Sequence, residues 1–263
     1  MPEAIPTHAP NSNLTIISMA VLAIAASSLL HEGLGHGLTA YLRGDIPTAL
    51  TSNHLSDIRP DRLVDAAGTL VNLIAGALAM AAAALSTRRP NLRYFLWLLG
   101  SFNLMDGAGY FLFSGIIGVG DWEAVIAGLP HDLALRIAMT LFGAALYFLV
   151  VKLMMRVLQP FCPDRTQHRS LYNTVGRLPY YAACAFYCLA GAFDPLGIKL
   201  LLISTIPAAF GGNSGFMWAD SLLPEHSDAS PLTVSQSPAW WTAAILIGLA
   251  YILILGRGIV FRH

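Results

Sequence analysis

Charge is what this sequence lacks most. Only 11% of its 263 residues are Asp, Glu, Lys or Arg, and 56% are hydrophobic, whereas soluble domains carry about 25% charged residues. So few charges exclude a soluble globular protein, and the long apolar runs that replace them indicate a multi-pass integral membrane protein. The formal net charge is zero, which removes the field that draws in nucleic acid, and no nucleic-acid partner is expected. Cysteine is scarce as well. Cys162, Cys184 and Cys188 make no disulfide framework, and the pair four apart shares a helix face in a way that suits packing. Residues 1–13, MPEAIPTHAPNSN, hold three prolines but neither Lys nor Arg. The basic start of a secretory signal is therefore missing, and the first apolar run is expected to be retained after a polar tail.

An all-α chain of about six or seven transmembrane helices is expected in the lipid bilayer. The spans are placed at about 14–42, 63–85, 94–117, 133–158, 175–193, 196–210 and 239–255. Pro179, Pro195 and Pro207 make the fifth and sixth the least regular of these. Residues 14–117 are expected to carry the chemistry, and 118–263 to supply additional helices and loops. The polar stretch RGDIPTALTSNHLSDIRPDR between the first two spans argues against helix, through its β-branched residues, prolines and scattered polar groups. Residues 46–55 within it have the composition of either an ordinary loop or an exposed strand edge on which an extended peptide pairs. Lys and Arg divide almost evenly between alternating loops, so charge sets no orientation.

Ionisable groups inside a span are costly, and each is a functional candidate. His31, Glu32 and His36 lie in the first span, Asn72 in the second, and Asn103 with Asp106 in the third. HEGLGH, residues 31–36, resembles the His-Glu-x-x-His pattern of zinc hydrolases, in which ligands four apart share a helix face and the Glu is the base. Here the histidines are five apart, and in an α-helix the second would be rotated by about 140° from the first. A π-bulge absorbs one residue and brings such positions back into line. Gly33, Gly35 and Gly37 make that deformation cheap.

Asp106 offers a third metal ligand from another helix; a packing contact or a proton-relay acid are equal readings of it taken alone. Asn72 follows Gly68 by four residues, and its amide must find a partner in the membrane. The glycines Gly68 and Gly76 read as a small-residue packing stripe. His54, within TSNHLSD, reads as a solvated turn and ranks below His36 as a ligand. Trp122 reads as an interface anchor, and His131, His168, His226 and His263 as solvated.

Taken in order, HEGLGH, Gly68 with Asn72, and NLMDG (residues 103–107) resemble the site-2 protease family of intramembrane zinc metalloproteases. The resemblance covers residues 14–117. It departs from the family in the histidine spacing and in the lack of a proline before the aspartate motif. It implies a three-helix core in which Zn2+ is held by His31, His36 and Asp106. Glu32 would be the general base, Asn72 and Asn103 would contact substrate or the oxyanion, and membrane proteins would be the substrates. The rival readings are a transporter or proton-relay protein, a catalytically inactive protease-like scaffold, and a zinc hydrolase acting on lipid amides.

Overall fold

The computed structural model describes residues 10–59, 61–166 and 169–261. The start of the polar tail, His168 and His263 lie outside them. The chain is mostly helical, with one small sheet.

The first helix, α1, spans Asn13–Arg43. Ser12 caps it, its Oγ accepting from Thr15 N–H. α1 is regular as far as Ser28, becomes a π-helix over Leu29–Gly37, and returns to α over Leu38–Arg43. α2 spans Arg62–Leu85, capped by Asp61, and α3 spans Pro90–Ile117 with its proline in the first turn. A short α4, Asp121–Ile126, precedes the long α5, Asp132–Leu158. After a π turn at Asn173–Arg177 come α6, Leu178–Gly191, then α7, Ile198–Leu222, and α8, Pro238–Leu255. Among the described residues, α1, α2, α5, α7 and α8 are long and apolar enough to cross a membrane.

The all-α expectation needs one amendment. The polar stretch after α1 forms a hairpin of β1, Pro47–Leu50, and β2, Leu55–Asp57, and β3, Ile259–Val260, joins the other side of β1. All pairings are antiparallel. The turn of the hairpin is pinned from below: Ser28 Oγ donates to Ser52 O at 2.8 Å, and Tyr251 OH donates to Ser28 Oγ at 2.6 Å. Residues 47–50 do form a strand, but it is the central one, paired on both sides, so the exposed edge expected within 46–55 falls instead to β2.

The sixth span also runs further than expected, to Leu222 rather than residue 210. Gly211–Gly215, rich in glycine, reads from sequence as either a hinge or gate or an ordinary interfacial turn. The backbone around it is carried through by side chains of other helices and of α7 itself. Tyr147 OH donates to Gly212 O at 2.7 Å and accepts from Gly215 N–H at 2.9 Å. Cys184 Sγ and Asn213 Nδ2 both donate to Ala209 O, each at 3.1 Å. In a low-dielectric interior, free backbone groups are tolerated only when re-satisfied in this way.

Large aromatics fill the core around α3. Trp97 Nε1 donates to Met154 O of α5 at 2.8 Å, and Tyr94 OH donates to Val175 O at 2.7 Å. Their rings are fully buried, so each delivers apolar area while its polar end is satisfied. α2 packs along α3 through glycines. A methyl at Gly76 would meet Leu104 at 2.7 Å, and one at Gly100 would meet Met80 at 2.8 Å. This contact supports the packing-stripe reading of Gly76.

Candidate metal centre

The π-helix decides the geometry of the histidines. Leu38 N–H bonds to Gly33 O, five residues back, so one turn of α1 contains the extra residue. His31 and His36 consequently point the same way. Their Nε2 atoms lie 3.1 Å apart, with the rings edge to face. His36 Nδ1 bonds to Val64 O of α2 at 2.7 Å, which directs Nε2 toward His31. His31 stacks on Tyr110 of α3, with ring centroids 4.8 Å apart.

Room for both imidazoles comes from α2. A methyl at Gly68 would fall 2.5 Å from His36 Nε2 and 2.7 Å from His31 Nε2, and one at Gly35 would fall 2.5 Å from Gly68 Cα. Gly68 is therefore more than part of a packing stripe, because the histidine rings occupy the space its side chain would fill.

The carboxylate that joins the two Nε2 atoms is that of Asp121. Its Oδ2 lies 3.1 Å from His31 Nε2 and 3.4 Å from His36 Nε2. α4 carries it there after a turn in which Gly118 and Gly120 have φ of 71° and 94°, values that favour glycine. Arg62 Nη2 holds the far end of α4 by donating to Ala127 O at 2.8 Å. Burial pushes the Asp121 carboxyl up, but the adjoining His31 and His36 outweigh it and hold the group below the usual carboxylate range.

Among the described residues, His31, His36 and Asp121 form the one cluster able to hold a metal. Their three atoms make a triangle with edges of 3.1, 3.1 and 3.4 Å. Ligands about 2.0–2.1 Å from a tetrahedral zinc stand about 3.3 Å apart. Asp121 Oδ2 has no aligned hydrogen bond despite its two close neighbours, which suits atoms that share a cation better than atoms bonded to one another. Two imidazoles and a carboxylate are also a donor set that catalytic zinc accepts. The residues fit the ion.

Asp106, expected as the third ligand, approaches His31 from the other ring nitrogen, with Oδ2 3.9 Å from Nδ1. It accepts a hydrogen bond from Asn72 Nδ2 at 2.7 Å. The three motifs do converge, but the Asn72–Asp106 pair lies behind His31, beyond hydrogen-bond reach of a ring Nδ1 that has no partner among the described residues. Carboxylates behind a ligating histidine fix its orientation and raise its basicity. Asn103, expected at the oxyanion, instead donates to Leu99 O of its own helix at 2.8 Å and packs beside Gly76. It does not line the cavity.

That cavity, of about 510 Å³, opens beside the cluster. Glu32, His36, Asp106 and Asp121 form its polar wall, and Phe113, Ile116 and Pro207 lie among its apolar lining. Glu32 is buried, and its Oε2 has no hydrogen-bond partner. Leu55 and Asp57 of β2 also line it, and β2 is an edge of the sheet among the described residues.

His54 is half-buried rather than fully solvated. It lines the same cavity, with Nδ1 2.9 Å from Thr51 Oγ1 and 3.5 Å from the buried Asp194 carboxylate. Trp122, expected at an interface, stacks on Phe111 at 4.3 Å and fastens α4 to α3. Asp121 was the residue hardest to find from sequence. Its signal is the Gly-x-Gly turn directly before it, which permits a sharp reversal at the end of a span. Asp194 has no comparable signal. No family model, curated protein or solved structure matches the chain.

Proposed function

We propose that the protein is an intramembrane zinc metalloprotease-like enzyme that hydrolyses peptide bonds of membrane-protein substrates. The observation that carries this reading is the convergence of His31 and His36 Nε2 atoms across a five-residue spacing. A π-segment holding two buried imidazoles toward one carboxylate is hard to account for as packing alone. The expectation of six or seven spans is part of the proposal; α3 and α6 added to the five long apolar helices make seven.

In this reading His31, His36 and Asp121 hold Zn2+, which when bound supplies Lewis acidity toward water and a scissile carbonyl. Glu32 takes a proton from the attacking water and returns it to the leaving amine, a role suited to a buried carboxylate that lines the cavity and has an unpartnered oxygen. Asp106 and Asn72 orient His31. An unwound substrate segment pairs along the β2 edge, main chain to main chain, which presents its peptide bond toward the polar wall.

Zinc content of the detergent-purified chain, before and after zinc loading, tests the first step. About one zinc per chain is expected for this donor set, lost in His36→Ala and Asp121→Ala variants that still fold. Glu32→Gln should keep the metal and lose cleavage of membrane-protein substrates. A second reading, the proton relay, draws on a different feature: Asp121 lies against both histidines and pairs them without any metal. A parent that takes up no zinc on loading would favour that relay or an inactive scaffold.

A further inference from the structure

The opposite end of the bundle holds a second cavity that the proposed chemistry does not use. It measures about 480 Å³ and is lined by Arg93 and Arg156, with Thr87, Gln159, Ser227 and Ser230 around them. No carboxylate among the described residues lines it. Asp164 and Asp228 neighbour lining residues in the chain, but Asp164 accepts from Thr166 N–H at 3.0 Å and Asp228 is exposed. Neither arginine has an ion pair among the described residues, and Arg93 Nε is buried with no hydrogen-bond partner.

A guanidinium N–H stripped of water and left without an acceptor is unfavourable, and two cations facing one cavity repel each other. Arg93 also sits in the first turn of α3, which contains no acidic residue, so the positive end of the helix dipole adds to the deficit. The cavity is about 20 Å along α3 from Asp106, from thirteen residues at about 1.5 Å each. It lies where the ends of α2, α3 and α5 meet the 223–237 segment, anchored by Asn91 Nδ2 donating to Ser235 O at 3.0 Å. In a membrane-spanning bundle this is headgroup depth.

We propose that the cavity between Arg93 and Arg156 binds a phosphate group, taken from the headgroup of an anionic phospholipid or from free phosphate. Arg93 and Arg156 donate charge-assisted hydrogen bonds to the phosphate oxygens, a geometry to which arginine is suited. The hydroxyls of Thr87, Ser227 and Ser230 and the Gln159 amide complete the polar ring. Leu232, with two prolines, lines the apolar side, where the glycerol of a lipid would rest. The site does not depend on the metal reading.

The experiment is native mass spectrometry of the detergent-purified full chain with phosphatidylglycerol, with phosphatidylcholine as the zwitterionic control. It is paired with melting curves in inorganic phosphate. The parent should retain phosphatidylglycerol preferentially, and Arg93→Gln and Arg156→Gln should each weaken retention by about tenfold or more. Arg88→Gln, exposed and outside the cavity, should leave it unchanged. Arg156 is exposed, so its variant remains decisive should Arg93→Gln fail to fold. Lipid retention that millimolar phosphate does not displace identifies the headgroup. A rise in the parent's melting temperature with phosphate, absent in both variants and without lipid retention, identifies the free anion. Equal retention by parent and Arg156→Gln, or binding of neither probe, overturns the proposal.

Discussion

Of the π-deformed stretches that line the cavity, Leu29–Gly37 in α1 and Pro207–Gly212 in α7 arise for different reasons. The first, Leu29–Gly37, contains no proline and closes its own hydrogen bonds five residues apart. Its extra residue lies between His31 and His36, and its effect is to align them. The second, Pro207–Gly212, begins at a residue with no N–H to donate. Its carbonyls are satisfied from outside, by Tyr180 OH at Phe210 O and by Cys184 at Ala209 O. In α1 the deformation serves the side chains. In α7 it follows from a local backbone constraint, which neighbouring helices then repair. A π-segment is thus a clue to function only once its cause has been separated from proline.

Four experiments would break or sharpen this contrast. The largest effect is expected for Gly68→Ala. Its methyl would overlap both imidazoles, so zinc content should fall to background, and overpacking of this kind costs about 1–3 kcal/mol of stability. Elemental analysis alongside thermal unfolding separates the two losses. A Gly68→Ala variant that still binds zinc would mean that the α1 histidines do not converge on α2.

Next comes the choice between carboxylates. Asp121→Asn should abolish stoichiometric zinc, whereas Asp106→Asn should weaken affinity by about 10–100-fold while leaving a detectable site. Zinc titration against a competing chelator distinguishes these outcomes. The reverse ranking would return Asp106 to the ligand set and make Asp121 the support.

Pro207→Ala tests the α7 side. It restores an N–H where α7 lacks one, and Pro207 lines the cavity but is not one of the three cluster residues. Zinc content should be unchanged while peptide turnover shifts, as read by metal analysis and a cleavage assay on the same preparation. Loss of metal in this variant would show that the two deformations are coupled.

The smallest effect concerns the hairpin that packs against the α1 segment. Burial of Asp57 and the neighbouring Asp45 carboxylate push the Asp57 carboxyl up to about 6. A raised folded-state value favours the protonated form. The contribution to stability is therefore full below the unfolded value of about 4 and is lost as pH rises through about 6. Asp57→Asn should remove this loss, so its melting temperature should gain on the parent's as pH is raised from about 4 to 7. Parallel melting curves across that range would contradict the assignment.

Much of the fold was legible in the sequence for simple reasons. Apolar run length places the helices, because a segment without charges has no favourable place in water. β-branched residues and prolines mark the stretch after α1 as non-helical, and it forms the hairpin. The five-residue histidine spacing, flanked by glycines, requires a π-bulge if both rings are to meet, and that bulge is present. The boundary of α7 was not legible. Its glycine-rich segment is held in place by Tyr147, sixty-five residues away from the Gly212 carbonyl it meets.

By itself, then, the sequence determined a helical chain with segments long and apolar enough to cross a membrane, and a pair of histidines brought into register within a single helix. Both rest on local causes, hydropathy and spacing. Only the tertiary structure decided which carboxylate completes the cluster. Asp106 sits in the expected motif but meets His31 at Nδ1, while Asp121 reaches Nε2 because the glycine turn after α3 folds α4 back over α2. Ligand choice is a matter of ångströms across separate helices. Sequence spacing fixes such distances only within one element, and packing fixes them between elements.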